Sequence, residues 1–143
     1  MSEPRYWPRD FSSEPESFGK ARSVGWLPST DDRSKALGNA ARLQHMYAVR
    51  IRSRAKDISR RPVNANGSLA ARTEVDKKAP LKCLAAKSGS SYTRLLGCLR
   101  GTVVMRLDDI AWADMVLGDI IEQRVQDGPG TRATGEYPRA TMR

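Results

Sequence analysis

Positively charged side chains are the groups in this sequence best suited to chemistry, and the chemistry they suit is phosphate binding. Residues 81–106 contain five basic side chains and no acidic one: Lys82, Lys87, Arg94, Arg100 and Arg106. An arginine guanidinium binds phosphate or the edge of a guanine through two hydrogen bonds, whereas lysine binds phosphate as a point charge. The block therefore predicts contact with a polyanion.

The charge of the whole chain supports the same expectation. The 143 residues carry a net charge of +9, with a pI of about 10.1. This balance favours nucleic acid as the partner over an acidic membrane surface. Residues 36–80 have a net charge of +7, whereas residues 107–127 have a net charge of −5. A molecule with such blocks would attract phosphate on one face and repel it on another.

Other reactive side chains do not form a catalytic or metal-binding pattern. His45 is the only histidine, and a surface position is expected for it. Cys83 and Cys98 fall among apolar residues and are expected to be buried thiols, since a zinc site needs further cysteine or histidine ligands. Asp108 and Asp109 are expected to cap a helix. The sequence predicts no enzyme activity, metal, cofactor or small-molecule ligand.

No apolar run approaches the roughly 20 residues of a membrane-spanning helix. The N-terminal residues 1–11 lack the apolar core of a signal peptide, and two cysteines are too few for a secreted disulfide scaffold. An intracellular, reduced protein without a membrane partner is therefore expected.

A long basic helix is predicted over residues 36–58. Apolar side chains recur there at spacings of three and four, as on one face of a helix: Ala40, Leu43, Tyr47, Ile51, Ala55 and Ile58. Arg50 and Arg54 lie on the remaining surface. Two interpretations stay open for that surface, namely a solvated basic face or contact with a DNA backbone.

Two short helices separated by a tight turn are predicted over residues 81–101. Leu81, Leu84 and Ala85 indicate the first helix, which would begin near Pro80 and stop near Ser88 and Gly89, since glycine adopts positive φ. Ser90 or Ser91 would cap the second helix. Its buried side would consist of Leu95, Leu96 and Leu99, and Gly101 would end it.

A further helix is predicted from Leu107 to Leu117, and another over residues 119–126. The apolar positions of the first are Leu107, Ile110, Ala111, Met115 and Val116. Trp112 is expected to pack in the core.

Proline, serine and glycine divide the rest of the chain. Residues 1–35 are expected to be disordered or loosely docked, with aromatic side chains that would pack on the domain or contact a partner. Residues 36–127 form the predicted helical domain, and residues 128–143 a flexible tail. Within the domain, residues 61–72 form a loop and Leu69–Val75 a short helical turn.

The stretch "LAAKSGSSYTRLLGCLRG" (residues 84–101), followed by "MRLDDIAWADMVLGDI" (residues 105–120), resembles the helix-turn-helix and next helix of the lambda-repressor/Cro (XRE-type) superfamily. The resemblance covers about residues 81–121. It implies an all-α, lambda-repressor-like domain of four or five helices, here with an additional upstream basic helix and disordered termini. The third family helix lies in the DNA major groove.

The resemblance also implies roles for particular residues. Ser91 begins the recognition helix, and the expected base-contacting residues are Tyr92, Thr93, Arg94 and, one turn later, Gly97. Arg94 is the foremost of these, through guanine O6 and N7. The expected phosphate-binding residues are Lys82, Lys87, Ser91, Arg100 and Arg106, to which the basic helix adds Arg50 and Arg54.

Three features depart from the family pattern. Ser90 replaces the usual small apolar residue after the turn glycine. Gly97 costs roughly 1 kcal/mol of helix propensity relative to alanine, although its missing side chain would let the helix approach DNA closely. The predicted helix 36–58 lies about 22 residues before Leu81. Either it is the first helix of the fold, or residues 68–78 supply that helix and 36–58 is an extra element.

The function that follows is a sequence-specific double-stranded DNA-binding transcriptional repressor that occludes a promoter or operator. It would act in the cytoplasm or nucleoid of a bacterial host. The small size and arginine-rich composition favour a phage immunity repressor, more narrowly that of an actinobacteriophage. Family members often bind palindromes as homodimers, whereas a second basic helix would let one chain cover an asymmetric site.

Two alternatives belong to other classes. The first is an antitoxin or adaptor whose main task is to bind a protein partner, and the second is a nonspecific nucleic-acid-binding basic protein.

Overall fold

Four α-helices form the main body of the described chain, which comprises residues 6–60 and 78–122 of this computed structural model. They are α1 (Asp32–Arg60), α2 (Pro80–Ser88), α3 (Tyr92–Arg100) and α4 (Leu107–Leu117). Two 3-10 helices, Pro8–Phe11 and Pro15–Ser17, precede them. Beyond one isolated bridge between Ser12 and Trp26, these residues contain no β-structure, so the all-α class is confirmed. None of the helices in these ranges combines the length and apolar character needed to cross a bilayer.

α1 contains the helix predicted over residues 36–58 and extends it at both ends. Its C-terminal half buries Ile51, Ala55 and Ile58, as the apolar stripe predicts. In the N-terminal half the predicted stripe is wrong, because Ala40 and Leu43 are exposed. The buried residues there are Gly38, Ala41, Gln44, His45 and Ala48. They are small or polar, so hydropathy could not identify this face.

The buried side chain of Gln44 joins α1 to the segment after α3. Its Nε2 donates to the carbonyls of Cys98, at 2.8 Å, and Val103, at 2.9 Å. Its Oε1 accepts from the backbone N–H of Met105 at 2.9 Å. Both amide protons and the carbonyl oxygen are thus hydrogen-bonded, which offsets the free energy of burying this amide.

α2 and α3 have the predicted bounds and are joined by a three-residue turn. Pro80 occupies the first turn of α2, where its missing N–H leaves no helical hydrogen bond unmade. Gly89 ends α2 at φ +77°. Ser91 caps α3, since its Oγ accepts from the Arg94 N–H at 3.0 Å. Gly101 ends α3, also in the left-handed region.

α4 has the predicted bounds but a different buried face. Leu107 is 84% exposed and Met115 is also exposed, whereas Ala113, Val116 and Leu117 are buried. Together with Ile120 these three close a core shared by all four helices. Of the predicted apolar positions, Val116 is buried and Ile110 packs against the core, whereas Leu107, Ala111 and Met115 are exposed. Spacing within the helix could not reveal this, because the chain after α4 decides which side is covered.

No helix begins at residue 119, which corrects the prediction for residues 119–122; residues 123–126 lie outside the described ranges. Gly118 has φ +85° and Asp119 has φ +60°, which no right-handed helix allows. The Asp114 carboxylate accepts from the N–H groups of Ile120 and Ile121, each at 3.0 Å. These bonds fold the chain back so that Ile120 enters the core.

Residues 6–31 of the N-terminal segment are firmly docked, whereas a disordered or loosely docked segment is predicted over residues 1–35. Phe18 is only 1% exposed, and its ring contacts those of Trp26 and His45 edge-on. The Arg9 N–H donates to the carbonyl of Gly101 at 3.1 Å. Local periodicity is absent here because the contacts are to α1 and the end of α3.

His45 corrects a second expectation, since it is buried and not on the surface. It is 6% exposed, and its Nδ1 accepts from the Gly19 N–H at 2.8 Å. Burial lowers the pKa of the imidazole, against an opposing effect of the backbone of Arg22 and Ala21. His45 therefore holds the N-terminal segment on α1.

Several predictions concern residues outside the described ranges. They are the loop over 61–72, the short turn Leu69–Val75, the alternative first helix within 68–78 and the tail over 128–143. α1 itself contributes Ala48, Ile51 and Ile58 to the core that it shares with α2, α3 and α4.

Candidate nucleic-acid interface

The surface of α2 and α3 carries basic side chains, and the surrounding sequence contains no acidic residue. From Lys78 to Arg106, six side chains are basic and none is acidic. Lys82 and Lys87 of α2 are exposed, as are Thr93 and Arg100 of α3. Thr93 and Arg100 are seven residues apart, so they lie on the same face of the helix. This face of α3, together with the two lysines, is named here the α2–α3 surface.

Tyr92 and Ser91 lie at the N-terminal end of this surface. Tyr92 is half-buried, and the Lys82 Nζ lies 5.5 Å from its ring centroid. Such a cation–π contact holds the lysine beside the start of α3. The Ser91 hydroxyl is exposed but already accepts the Arg94 N–H, so its first role is structural.

Arg94 does not point from this surface into solvent, contrary to the expected base-contacting role. Its two terminal nitrogens donate to the two carboxylate oxygens of Asp109, each at 2.8 Å. The side chains are 26% and 11% exposed. Hydrogen bonding to Asp109 raises the pKa of the guanidinium, outweighing its partial burial. A bidentate pair of this kind fixes α3 against α4.

Asp109 serves two structural purposes at once. Besides pairing with Arg94, its Oδ2 accepts the Arg106 N–H at 2.8 Å, which caps α4. Burial raises the pKa of this carboxyl, but the hydrogen bonds from Arg94 and the Arg106 backbone outweigh it, and the net pKa is lowered. The expected capping role of Asp109 therefore agrees with the structure, and its partner Arg94 was the unexpected part.

Arg106 is a weaker candidate phosphate ligand than the sequence predicts, because acidic side chains lie beside it. Its Nε lies 3.4 Å from an Asp108 oxygen and 3.8 Å from an Asp109 oxygen, although the side chain is 62% exposed. Two carboxylates offset much of its charge.

Gly97 is buried although it lies on the same side of α3 as Thr93 and Arg100, between them. A Cβ built on it would lie 2.6 Å from Val103 Cγ2 and 3.3 Å from Thr102 Oγ1. The missing side chain lets the chain after α3 fold back over the middle of this face, and this covering weighs against the expected approach to DNA at Gly97.

Arg50 and Arg54 donate to backbone carbonyls, so they are less available for the expected role as phosphate ligands. Arg54 Nε donates to the Leu117 carbonyl at 2.8 Å, and an Arg50 terminal nitrogen donates to the Ile120 carbonyl at 2.8 Å. These cations cover carbonyls at and after the C-terminal end of α4, where positive charge is favourable. The regular spacing of the basic residues along α1 does not indicate which of them bind these carbonyls.

Arg52 of α1 is a residue that sequence reasoning missed. Burial lowers the pKa of its guanidinium, and the nearby charge of Arg100 lowers it further, with Tyr92 opposing. Arg52 thus adjoins the α2–α3 surface. Its position in the middle of a run of arginines carried no signal that distinguished it from Arg50 and Arg54.

The cysteines differ in environment. Cys98 is fully buried, as expected, and burial raises the pKa of its thiol to about 11. Cys83 is only partly buried. Within the described ranges, no group of three histidine, cysteine or carboxylate side chains is arranged to hold a metal ion.

Comparisons with protein-family models, with curated proteins and with solved structures find no match to this chain. The interpretation of the α2–α3 surface therefore depends on its own geometry and charge.

Proposed function

We propose that this chain binds double-stranded DNA through the α2–α3 surface and acts as a sequence-specific transcriptional repressor. The observation that carries the proposal is the short basic helix pair. Two nine-residue helices are joined by a turn at Gly89, Lys82 of the first lies over the Tyr92 ring at the start of the second, and Lys87, Thr93 and Arg100 are exposed. The major groove of B-DNA is wide enough for one α-helix.

The proposed roles differ from those expected for the sequence. Tyr92 and Thr93 remain as proposed base-contacting residues, whereas Arg94 is no longer the foremost of them because it is hydrogen-bonded to Asp109. The threonine methyl suits a thymine methyl, and its hydroxyl suits a base edge or phosphate. Lys82, Lys87 and Arg100 would contact phosphates and so set the position of α3 in the groove.

The resemblance to the lambda-repressor/Cro superfamily supports this proposal, because the helix-turn-helix pattern and the pattern of the next helix follow one another in the same order as in that superfamily. Promoter or operator occlusion in a bacterial cytoplasm, as by a phage immunity repressor, is the narrower form of the proposal. A catalytic role is not proposed.

Selection of bound sequences from random duplexes tests the proposal. Wild-type protein should enrich one motif, and Thr93→Ala should relax the preference for the favoured base at one or two positions, because a methyl contact and a single hydroxyl are lost. Thr30→Ala, an exposed threonine before α1, is the matched control and should leave the motif unchanged. Enrichment of no motif by the wild type would show that binding is nonspecific or absent.

Binding of a protein partner is the second candidate function, and the exposed face of α4 favours it. Leu107, Ala111 and Met115 lie at spacings of four along this helix and are all exposed. An apolar stripe of this kind is typical of a contact with another protein. Light scattering of wild type and Met115→Glu tests it: a wild-type dimer that becomes monomeric in the variant would indicate a homodimer, and a monomer throughout would remove self-association.

A further inference from the structure

An open groove lies between the C-terminal half of α1 and the start of α2, and Tyr92 is among the residues that line it. It is named here the basic groove. The exposed cations that line it include residues from three separate parts of the chain: Lys20 and Arg22 from the N-terminal segment, Lys56 from α1 and Lys82 from α2. No aspartate or glutamate is among the described residues that line it.

These four cations have no carboxylate partner within the part of the chain that the structure describes. Like charges gathered on one concave surface repel one another, and this repulsion destabilises the folded state. A bound polyanion removes the repulsion. Arg50 also lines the groove, but it differs from these four cations because its side chain donates hydrogen bonds to carbonyls after α4.

One buried donor in the wall of the groove, the Nε of Arg52, lacks a hydrogen-bond partner among the described residues. The His45 ring in the same wall is differently placed, because its Nδ1 accepts the Gly19 N–H and the backbone of Ala21 and Arg22 lies at the ring. A buried donor without a partner destabilises the fold, so the Arg52 guanidinium is the group in this wall that a bound anion would stabilise.

The basic groove is continuous with the α2–α3 surface. Lys82 and Tyr92 belong to both, and Arg52 lies close enough to Arg100 for their charges to repel. An anion near Arg52 and Arg100 would relieve this repulsion. A duplex whose major groove receives α3 would carry its backbone phosphates beside the same residues.

We infer that the basic groove is a second phosphate-binding site, in which Lys20, Arg22, Arg52 and Lys56 bind the backbone of the DNA that α3 contacts. This inference rests on the proposed function and extends it, since it assigns an affinity-giving role to α1 and the N-terminal segment. The groove would add affinity without base preference.

The dependence of duplex binding on salt tests the inference. Removal of one phosphate-binding cation should reduce the slope of log K against log salt by about 0.9. The double variant Lys20→Gln/Lys56→Gln should therefore reduce the slope by about 1 to 2 and weaken binding at low salt, with the selected motif unchanged. Lys35→Gln, an exposed lysine of α1 outside the groove, is the control and should leave the slope unaltered. An unaltered slope in the double variant would overturn the inference.

Titration with pyrophosphate separates this inference from the proposed function. His45 is the only histidine, so its ring signals in an NMR spectrum report on the groove wall without ambiguity. Pyrophosphate should shift them in wild type and in Lys35→Gln, and less so in Lys20→Gln/Lys56→Gln. If no duplex binds but this shift is seen, the proposed function fails while the phosphate site stands. Pyrophosphate binding together with an unaltered salt slope would instead assign the groove to a free phosphorylated ligand and overturn its role toward DNA, and no shift at millimolar pyrophosphate would overturn the site itself.

Discussion

At the scale of single residues, most of the charged or titratable side chains that the sequence offers as ligands for a partner instead make hydrogen bonds within the fold. Arg94 binds Asp109, Arg54 binds the Leu117 carbonyl, and His45 accepts from Gly19. The exposed residues that remain on α3, notably Thr93 and Arg100, are less conspicuous in the sequence. Residue type alone therefore ranks Arg94 above Thr93, and the buried carboxylate of Asp109 reverses that order.

Replacement of Arg94 tests this assignment. Arg94→Ala leaves the nearly buried Asp109 carboxylate without its cation, and unfolding should become easier by about 2 kcal/mol. Thr93→Ala removes an exposed side chain and should change the free energy of unfolding by less than about 0.5 kcal/mol. Urea denaturation of both variants and wild type at pH 7 measures this. Equal, negligible changes would mean that the Arg94–Asp109 pair does not hold α3 on α4.

The pH dependence of stability tests the burial of His45. Its pKa in the folded protein lies below the ordinary value of 6.5, so the unfolded chain takes up the proton at higher pH than the folded chain does. The stabilising contribution is then complete above pH 6.5 and declines as the pH falls through 6.5 toward the folded pKa.

The measurement is the free energy of unfolding from urea denaturation at pH 7.5 and pH 5.5. Wild type should lose stability between the two, and His45→Asn, whose Oδ1 can still accept the Gly19 N–H, should lose clearly less. The comparison concerns the change with pH and not the absolute stability of the variant. A wild type equally stable at both values would contradict the buried, neutral imidazole.

At the scale of elements, the bounds of α2, α3 and α4 could be predicted because their end signals are local. Pro80, Gly89, Ser91 and Gly101 act on their own turns. The buried face of the N-terminal half of α1, and most of that of α4, could not be predicted, because the docked N-terminal segment and the returning Ile120 decide them. Those contacts join residues far apart in sequence, and they use Gln44 and His45, whose burial depends on partners that only the fold supplies.

Gly97 illustrates how an element can be constrained by its neighbour. Alanine there gains roughly 1 kcal/mol of helix propensity, but its Cβ would meet Val103 Cγ2 at 2.6 Å, and overpacking costs about 1–3 kcal/mol. Gly97→Ala should therefore be destabilising by about 1 kcal/mol in the wild-type background, with the propensity gain offsetting part of the clash.

A double-mutant cycle isolates the cause. In a Val103→Ala background, which lacks the clashing methyl groups, Gly97→Ala should be clearly less destabilising than in the wild type, since only the contacts with Thr102 Oγ1 and the residue 103 Cβ, each at 3.3 Å, remain. Thermal and urea unfolding of the four proteins give the coupling. If Gly97→Ala stabilises the wild type, the segment after α3 does not pack on the helix as described.

At the scale of the whole molecule, the N-terminal segment belongs to the fold. It places Phe18 in a site formed with His45, Trp26 and Gly101, and it contributes Lys20 and Arg22 to the basic groove. Its composition predicts a disordered or loosely docked segment whose aromatic side chains pack on the domain or contact a partner, and for Phe18 and Trp26 the structure shows internal packing.

Truncation of one ring tests the role of this segment. Phe18→Ala should destabilise the protein by about 3 kcal/mol, as for a buried phenylalanine. Trp7, in the same segment, is 43% exposed, so Trp7→Ala is the control and should cost much less. The unfolding free energies of the two variants give the answer, and equal small losses would indicate that the segment does not support α1 and α3.

The central claim is that α2 and α3 meet DNA, and mapping of the bound surface by NMR tests it most directly. Amide shifts of the full chain are followed during titration with the duplex motif selected by wild type. The largest changes should fall within residues 80–100, with Thr93 and Arg100 among them, and smaller changes should reach Lys56 and Lys20. The account would be contradicted if saturating duplex left the amide signals of residues 80–100 unshifted, or if it shifted only the signals of the exposed face of α4.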